Sequence, residues 1–228
     1  ALRGSIGESA DAIARNDVPL PKATTSSLDA LRKFADANDA FDAGDRAVAV
    51  DLWKQAVALD SSFALPQAAL GMAAYWYNNP PAGEAYFARA LSLLDRLTTR
   101  EQFYIRASAE SWRGNRERAI DLRRSLLAEY PNDPTAWGDI GYDYMRLGRS
   151  DEAVNALRKQ IERDSTNAST FINLANALNS GHADESVRSY ERAFALEPGL
   201  ATVNNLNHEY GKSLVLAGRA ADARNTYR

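Results

Sequence analysis

One small residue returns along the chain at nearly constant spacing: Ala37, Gly71, Ala107, Gly141, Ala175 and Gly211, in steps of 34, 36, 34, 34 and 36 residues. A second small column keeps the same rhythm through Ala49, Gly83, Ala119, Ala153, Ser186 and Ala223. Four residues after each member stands a large side chain, Trp53, Phe87, Leu157, Tyr190 and Tyr227, with Arg123 as the exception. Between the two columns five copies carry a glycine: Gly44, Gly114, Gly148, Gly181 and Gly218. Independent columns sharing one period mean that one supersecondary unit is repeated about six times, which excludes most folds at once.

The unit is a pair of helices. Ala49, Trp53 and Ala56 are spaced i, i+4 and i+7, so they share one helix face. The small members let the two helices of a pair approach closely, and the large residue fills the space beside them. Each glycine falls where one helix stops and the chain reverses, a place that often takes left-handed backbone. All eight prolines (19, 21, 66, 80, 81, 131, 134 and 198) lie outside the proposed helices or in a first turn, where a missing N–H costs nothing. Asn78-Asn79-Pro80-Pro81 stands in place of a turn glycine and reads as a loop. The fold class expected is all-α: a superhelix, or α-solenoid, of about six antiparallel helix pairs.

Within Pro134–Pro198 the residues Trp137, Ile140, Gly141, Tyr144, Gly148 and Ala153 resemble the tetratricopeptide repeat (TPR) family. They match its first-helix aromatic, its leucine-glycine pair, its tyrosine, its turn glycine and its second-helix alanine. Leu70-Gly71, Tyr130-Pro131 and Glu197-Pro198 agree. The resemblance covers residues 27–228 as a solenoid, with copies near 30–63, 64–97, 100–133, 134–167, 168–200 and 204–228. The third copy is degenerate at Arg106, Arg123 and Leu126, and the sixth stops within its second helix.

Residues 1–26 form a leader outside the repeat. Leu2, Ile6, Ala10 and Ile13 are placed to line a short amphipathic helix, and Val18-Pro19-Leu20-Pro21 forces an extended linker. Ser26 with Asp29 reads as a capping box opening the first repeat helix. The leader resembles the junction preceding the carboxy-terminal TPR region of bacterial serine/threonine kinases and related signalling proteins, although no kinase signature lies in the chain. The first residue is alanine and no signal peptide is visible, so the chain reads as a processed product or a piece of something larger. Its place is either the cytoplasm or the extracytoplasmic part of a membrane-anchored protein.

Composition narrows the function. With 45% hydrophobic and 25% charged residues the chain has enough apolar surface to fold. A net charge of −3 and a pI near 5.5 give no footprint for nucleic acid. The most apolar stretch, Phe63 to Tyr77, is too short to span a bilayer and reads as a buried helix. There is no cysteine and only two histidines, His182 and His208, so neither a metal centre nor a cofactor is expected. His182 sits in a predicted turn, and His208 has Glu209 beside it on a helix, where adjacent residues diverge. No serine stands in a nucleophile elbow or phosphate loop. No catalytic residue is expected, and the chain reads as a non-enzyme.

The resemblance implies that first helices line the inner side of the stack and carry the binding residues. The candidates are Tyr142, Arg146, Asn173, Asn176, Asn179, His208 and Lys212. Asn173 and Asn176, at i and i+3, place two amides together. An amide both donates and accepts, so such a pair holds an extended peptide backbone without reading its sequence, as asparagine ladders do in some TPR proteins. The alternative is that the asparagines only cover a solvated face. The clamp that grips a terminal carboxylate in chaperone-binding relatives is not matched: its places hold Phe34, Asn38, Ala69, Glu101 and Ile105, without the cations. Tyr75-Trp76-Tyr77 with Tyr104 and Trp112 read first as packing and second as an apolar pocket. The function expected is a scaffold binding a protein or peptide partner, as the sensory or adaptor segment of a larger signalling protein. The alternatives are a structural module that self-associates and the regulatory domain of an enzyme whose catalytic part lies elsewhere.

Overall fold

The computed structural model describes residues 25–178 and 180–226. Among these residues there are twelve α-helices and no strand. They group into two compact units, one ending at Pro131 and one beginning at Asn132, so the division falls at the start of the fourth helix pair.

The first unit holds α1 (Leu28–Asp42), α2 (Arg46–Leu59), α3 (Ala64–Trp76), α4 (Pro80–Leu91), α5 (Thr99–Arg113) and α6 (Arg116–Glu129). The second holds α7 (Pro134–Arg146), α8 (Ser150–Arg163), α9 (Ala168–Leu178), α10 (Ala183–Leu196), α11 (Asn204–Leu216) and α12 (Ala220–Thr226). Within each unit, helices pack as consecutive pairs, and each pair packs on the first helix of the next pair of that unit. Most of the leader lies outside the described residues. Where it meets α1, Ser27 and not Ser26 is the N-cap, its Oγ accepting from Ala30 N–H at 3.1 Å. That one-residue shift places Asp29 too early to close a capping box. The real box lies elsewhere, where Thr98 and Glu101 cap α5 reciprocally. Asp45, Asn79 and Asp133 each satisfy an orphan N–H at the start of their helices.

The two small columns meet inside each pair, which is why they must be small. A Cβ at Gly83 would lie 3.1 Å from the Gly71 carbonyl oxygen and 2.6 Å from the Tyr75 ring. One at Gly141 would lie 2.6 Å from Leu157 Cγ and 3.4 Å from the Ala153 oxygen. In the fifth pair Ser186 Oγ–H donates to the Ala175 carbonyl at 2.9 Å, so hydroxyl and backbone close the same seam. The large residues that follow, Trp53, Phe87, Leu157 and Tyr190, are at most 2% exposed. Burying each contributes roughly 1.5–3 kcal/mol or more. Arg123 occupies that column in α6 and is itself 5% exposed, so the third pair keeps the geometry while departing in chemistry.

The turns follow the expected glycines with two differences. Gly44, Gly114, Gly148 and Gly218 have positive φ, but Gly181 does not, because Ser180–His182 forms a 3-10 turn leading directly into α10. In the second pair Asn78 takes the left-handed conformation at φ 54. The segment expected as a loop therefore gives only two residues to it, and Pro80 and Pro81 belong to the first turn of α4.

Candidate partner-binding face of the second unit

The candidate residues spread over the first helices of the second unit. Tyr142 and Arg146 lie on α7, Asn173 and Asn176 on α9, and His208 and Lys212 on α11; Asn179 lies outside the described residues. Helices α7 and α9 touch. Helix α11 packs on α10 and on the 3-10 segment Pro198–Thr202. Arg146, Asn176, His208 and Lys212 are exposed, and Tyr142 and Asn173 are half-buried.

Their polar atoms are not equally available. Lys212 Nζ–H donates to Glu209 Oε1 at 2.8 Å, so its charge is already matched. Asn176 Oδ1 accepts a 2.5 Å hydrogen bond from Tyr190 O–H, which holds the oxygen against Tyr190 and leaves both amide N–H groups unspent. Asn173, half-buried, makes no hydrogen bond with its side chain among the described residues. Burial first, and the Glu209 charge second, push the Tyr190 phenol well above its ordinary pKa. Its neighbour Tyr210 is raised for the same first reason, with Glu191 adding both charge and a hydrogen bond accepted from Tyr210 O–H at 3.2 Å.

At the base of α7, Trp137 is covered by cations from α8: Lys159 Nζ stands 4.3 Å and Arg163 Cζ 5.6 Å from the ring centre. A shallow recess of about 430 Å³ opens at the turn edge between the fifth and sixth pairs. His182, Glu185, Arg188 and Leu216 line it, and Asn173 and Asn176 do not. Glu185 is engaged there by Arg158 Nη2–H at 2.7 and 2.9 Å.

The aromatic candidates of the first unit divide. Trp76 stacks on Phe41 at 5.3 Å and 7°, meets Trp112 edge-on at 6.3 Å, and carries Arg46 over its ring at 5.3 Å. Tyr75 packs on Phe87 and Trp112. These three are partly buried and packed against the core. Tyr77 and Tyr104 remain outside it, 61% and 39% exposed. At the positions compared with a carboxylate clamp, Ile105 is fully buried and Glu101 is the capping-box residue of α5. Phe34 packs edge-on against Phe63 at 5.1 Å.

Sequence reasoning missed a polar clasp on the first unit. Tyr75 O–H donates to Glu84 Oε1 at 2.6 Å, and Arg113 grips the same carboxylate through Nε and Nη2 at 2.9–3.1 Å. The Arg113 and Tyr75 hydrogen bonds hold the Glu84 pKa below its ordinary value of 4.5. Burial, with Glu84 as acceptor, pushes Tyr75 up to about 12. The second unit repeats the arrangement: Glu191 Oε1 accepts from Tyr210 and from Arg219, the latter at 3.0 Å. Its sequence signal is a glutamate one place past the second column in α4, which nothing in one dimension joins to an arginine 29 residues on.

Among the described residues, no three His, Asp or Glu side chains come together to hold a metal. No described helix is long and apolar enough to cross a membrane.

Comparison with known proteins bears on the fold. Residues 134–167 match the tetratricopeptide repeat model. No curated protein matches the chain significantly. Among solved structures, a thermophilic TPR protein of Thermus thermophilus is similar with a TM-score of 0.62 and 16% identity, over 82% of this chain and 99% of that one. PilW, a widely conserved type IV pilus biogenesis factor, is similar with a TM-score of 0.62 and 15% identity, over 88% and 91%. A chain of the APC/C hetero-tetramer Cut9–Hcn1 gives 0.61 and 14%, over 95% of this chain and 40% of that one. Residues 134–167 thus carry a tetratricopeptide repeat, and the chain shares with TPR proteins an all-α fold of stacked helix pairs, an architecture that generally serves as a protein-interaction scaffold.

Proposed function

We propose that the second unit binds an extended peptide segment of a protein partner along the first helices α7, α9 and α11, and that the chain contributes recognition, not catalysis. The observation that carries the reading is the Asn173–Asn176 pair. One amide is half-buried yet makes no hydrogen bond within the described chain, and the other is exposed with its N–H groups unspent. Amides without a protein partner can exchange their water for a peptide backbone, which both donates and accepts and demands no particular side chain. Helices fixed by close seams need little reorganisation, so little ordering entropy opposes association. A similar chain stands in a hetero-tetramer with a protein partner, which agrees. The leader's resemblance to kinase junctions supports placing this scaffold as the sensory or adaptor segment of a larger bacterial signalling protein.

The test is selection of short linear peptides by display against the full chain, followed by calorimetry with the best binder. Asn173→Ala weakens binding about fivefold or more and leaves folding stability within roughly 0.5 kcal/mol. If stability falls in parallel with affinity, Asn173 is structural and the reading fails.

One observation favours self-association instead. Val203, Val215 and Leu216 are 44%, 54% and 58% exposed on and beside α11. Sedimentation over a wide concentration range separates the two: a monomer throughout removes the second reading.

A further inference from the structure

Two asparagines share one arrangement. Asn38 follows Ala37 and Asn176 follows Ala175, so each stands one residue past the small column of its first helix. In both pairs the large side chain of the second helix takes the amide oxygen: Trp53 Nε1–H donates to Asn38 Oδ1 at 3.3 Å, and Tyr190 O–H donates to Asn176 Oδ1 at 2.5 Å. An indole N–H can only donate, so in the first pair the oxygen must be the end turned inward. The fifth pair repeats that orientation with a phenol, kept protonated by burial and by the nearby Glu209 charge. The arrangement is confined to these two copies: Met72 accompanies Phe87, Ser108 accompanies Arg123, Tyr142 accompanies Leu157 and Lys212 accompanies Tyr227.

Tyr190 is 1% exposed, with Phe194 and Tyr210 ring centres 6.1 and 5.7 Å away. Its hydroxyl is therefore a fixed point. With Oδ1 engaged there, the exposed end of Asn176 is Nδ2 and its two donors. A free amide can turn either end to a ligand; this one, with its oxygen held by Tyr190, turns its two donors. We infer that Tyr190 is a positioning residue of the binding face, holding Asn176 so that it donates to a backbone carbonyl oxygen of the bound peptide. The inference rests on the peptide-binding reading above and adds a polarity to it.

The experiment follows the side-chain amide resonances of the isotope-labelled full chain during titration with N-methylacetamide and, separately, N,N-dimethylacetamide. Both probes carry the carbonyl of a peptide bond, and the second has no N–H. The two are expected to move the Asn176 Nδ2 protons equally. Tyr190→Phe keeps the ring and its neighbours but frees the amide, and reduces that movement about threefold or more. Asn176→Asp keeps an acceptor for Tyr190, so the melting temperature holds while the probe response at this position is lost. A response that requires the N–H of N-methylacetamide overturns the inference. So does an unchanged titration in Tyr190→Phe. Silence at Asn176 with shifts elsewhere on α7, α9 and α11 overturns this inference and leaves the peptide-binding reading standing; silence on all three helices overturns both.

Discussion

Trp76 in the first unit and Arg146 in the second stand the same distance past their small columns, at Gly71 and Gly141. Trp76 is packed among Phe41, Trp53 and Trp112 and has Arg46 over its ring. Arg146 is exposed. The backbone frame at the two positions is the same, because the seams that set it are the same. The side chain decides what happens next. An aromatic at this place reaches sideways to the neighbouring pairs and packs against the core, here meeting rings of the first and third pairs. A charged or amide side chain there stays in water. The repeat therefore fixes where a first-helix residue sits, and its chemistry settles whether that residue is spent on packing or left for a partner.

Truncation probes that difference most strongly. Trp76→Ala removes a stacked and edge-on aromatic and is expected to cost about 3 kcal/mol or more, measured by chemical denaturation. Arg146→Ala at the matching place is expected to stay within roughly 0.5 kcal/mol. Equal costs would mean that the two positions do not differ as described. Next in size is the seam itself. Gly141→Leu adds side-chain atoms where even a Cβ would stand 2.6 Å from Leu157 Cγ, and is expected to cost on the order of 1–3 kcal/mol through overpacking. An unchanged melting temperature would refute the register.

The smallest effect sharpens the electrostatic side. Glu84 has a folded pKa below its ordinary 4.5 because Arg113 and Tyr75 hydrogen-bond its charged form. A depressed carboxylate adds stability above its unfolded pKa and loses it as pH falls through the folded value. Wild type is therefore expected to lose stability more steeply than Glu84→Gln once pH drops below 4.5. The Glu84 side chain is 44% exposed, so solvent screening keeps the difference small. Parallel acid-melting curves would show that Glu84 is not coupled to folding.

Much of this was legible in the sequence because helix contact is a one-dimensional constraint. Gly71 and Gly83, or Gly141 and Ala153, must be small for two backbones to approach, so their spacing appears directly in the chain. The turn glycines were legible for the same reason, with Gly181 the exception because a 3-10 turn needs no left-handed residue. What stayed hidden depends on which side chains meet across helices. The oxygen of Asn176 is taken by Tyr190, fourteen residues away, and a solvent-facing asparagine looks the same with or without that bond. The sequence carries only a partial signal: asparagine follows the small column in the copies with Trp53 and Tyr190, but serine and lysine follow it in the copies with Arg123 and Tyr227. The N-cap shift from Ser26 to Ser27 is a plainer case, since two serines in a row offer the same oxygen.

The central claim is that first-helix faces of the second unit receive a peptide while the aromatic first unit is spent on its own packing. Backbone amide shifts of the labelled chain, recorded as the best display-selected peptide is added, test it most directly. The largest shifts are expected around Tyr142, Arg146, Asn173, Asn176, His208 and Lys212. Shifts centred on the second helices α8 and α10, or on Tyr77 and Tyr104 of the first unit, would contradict it.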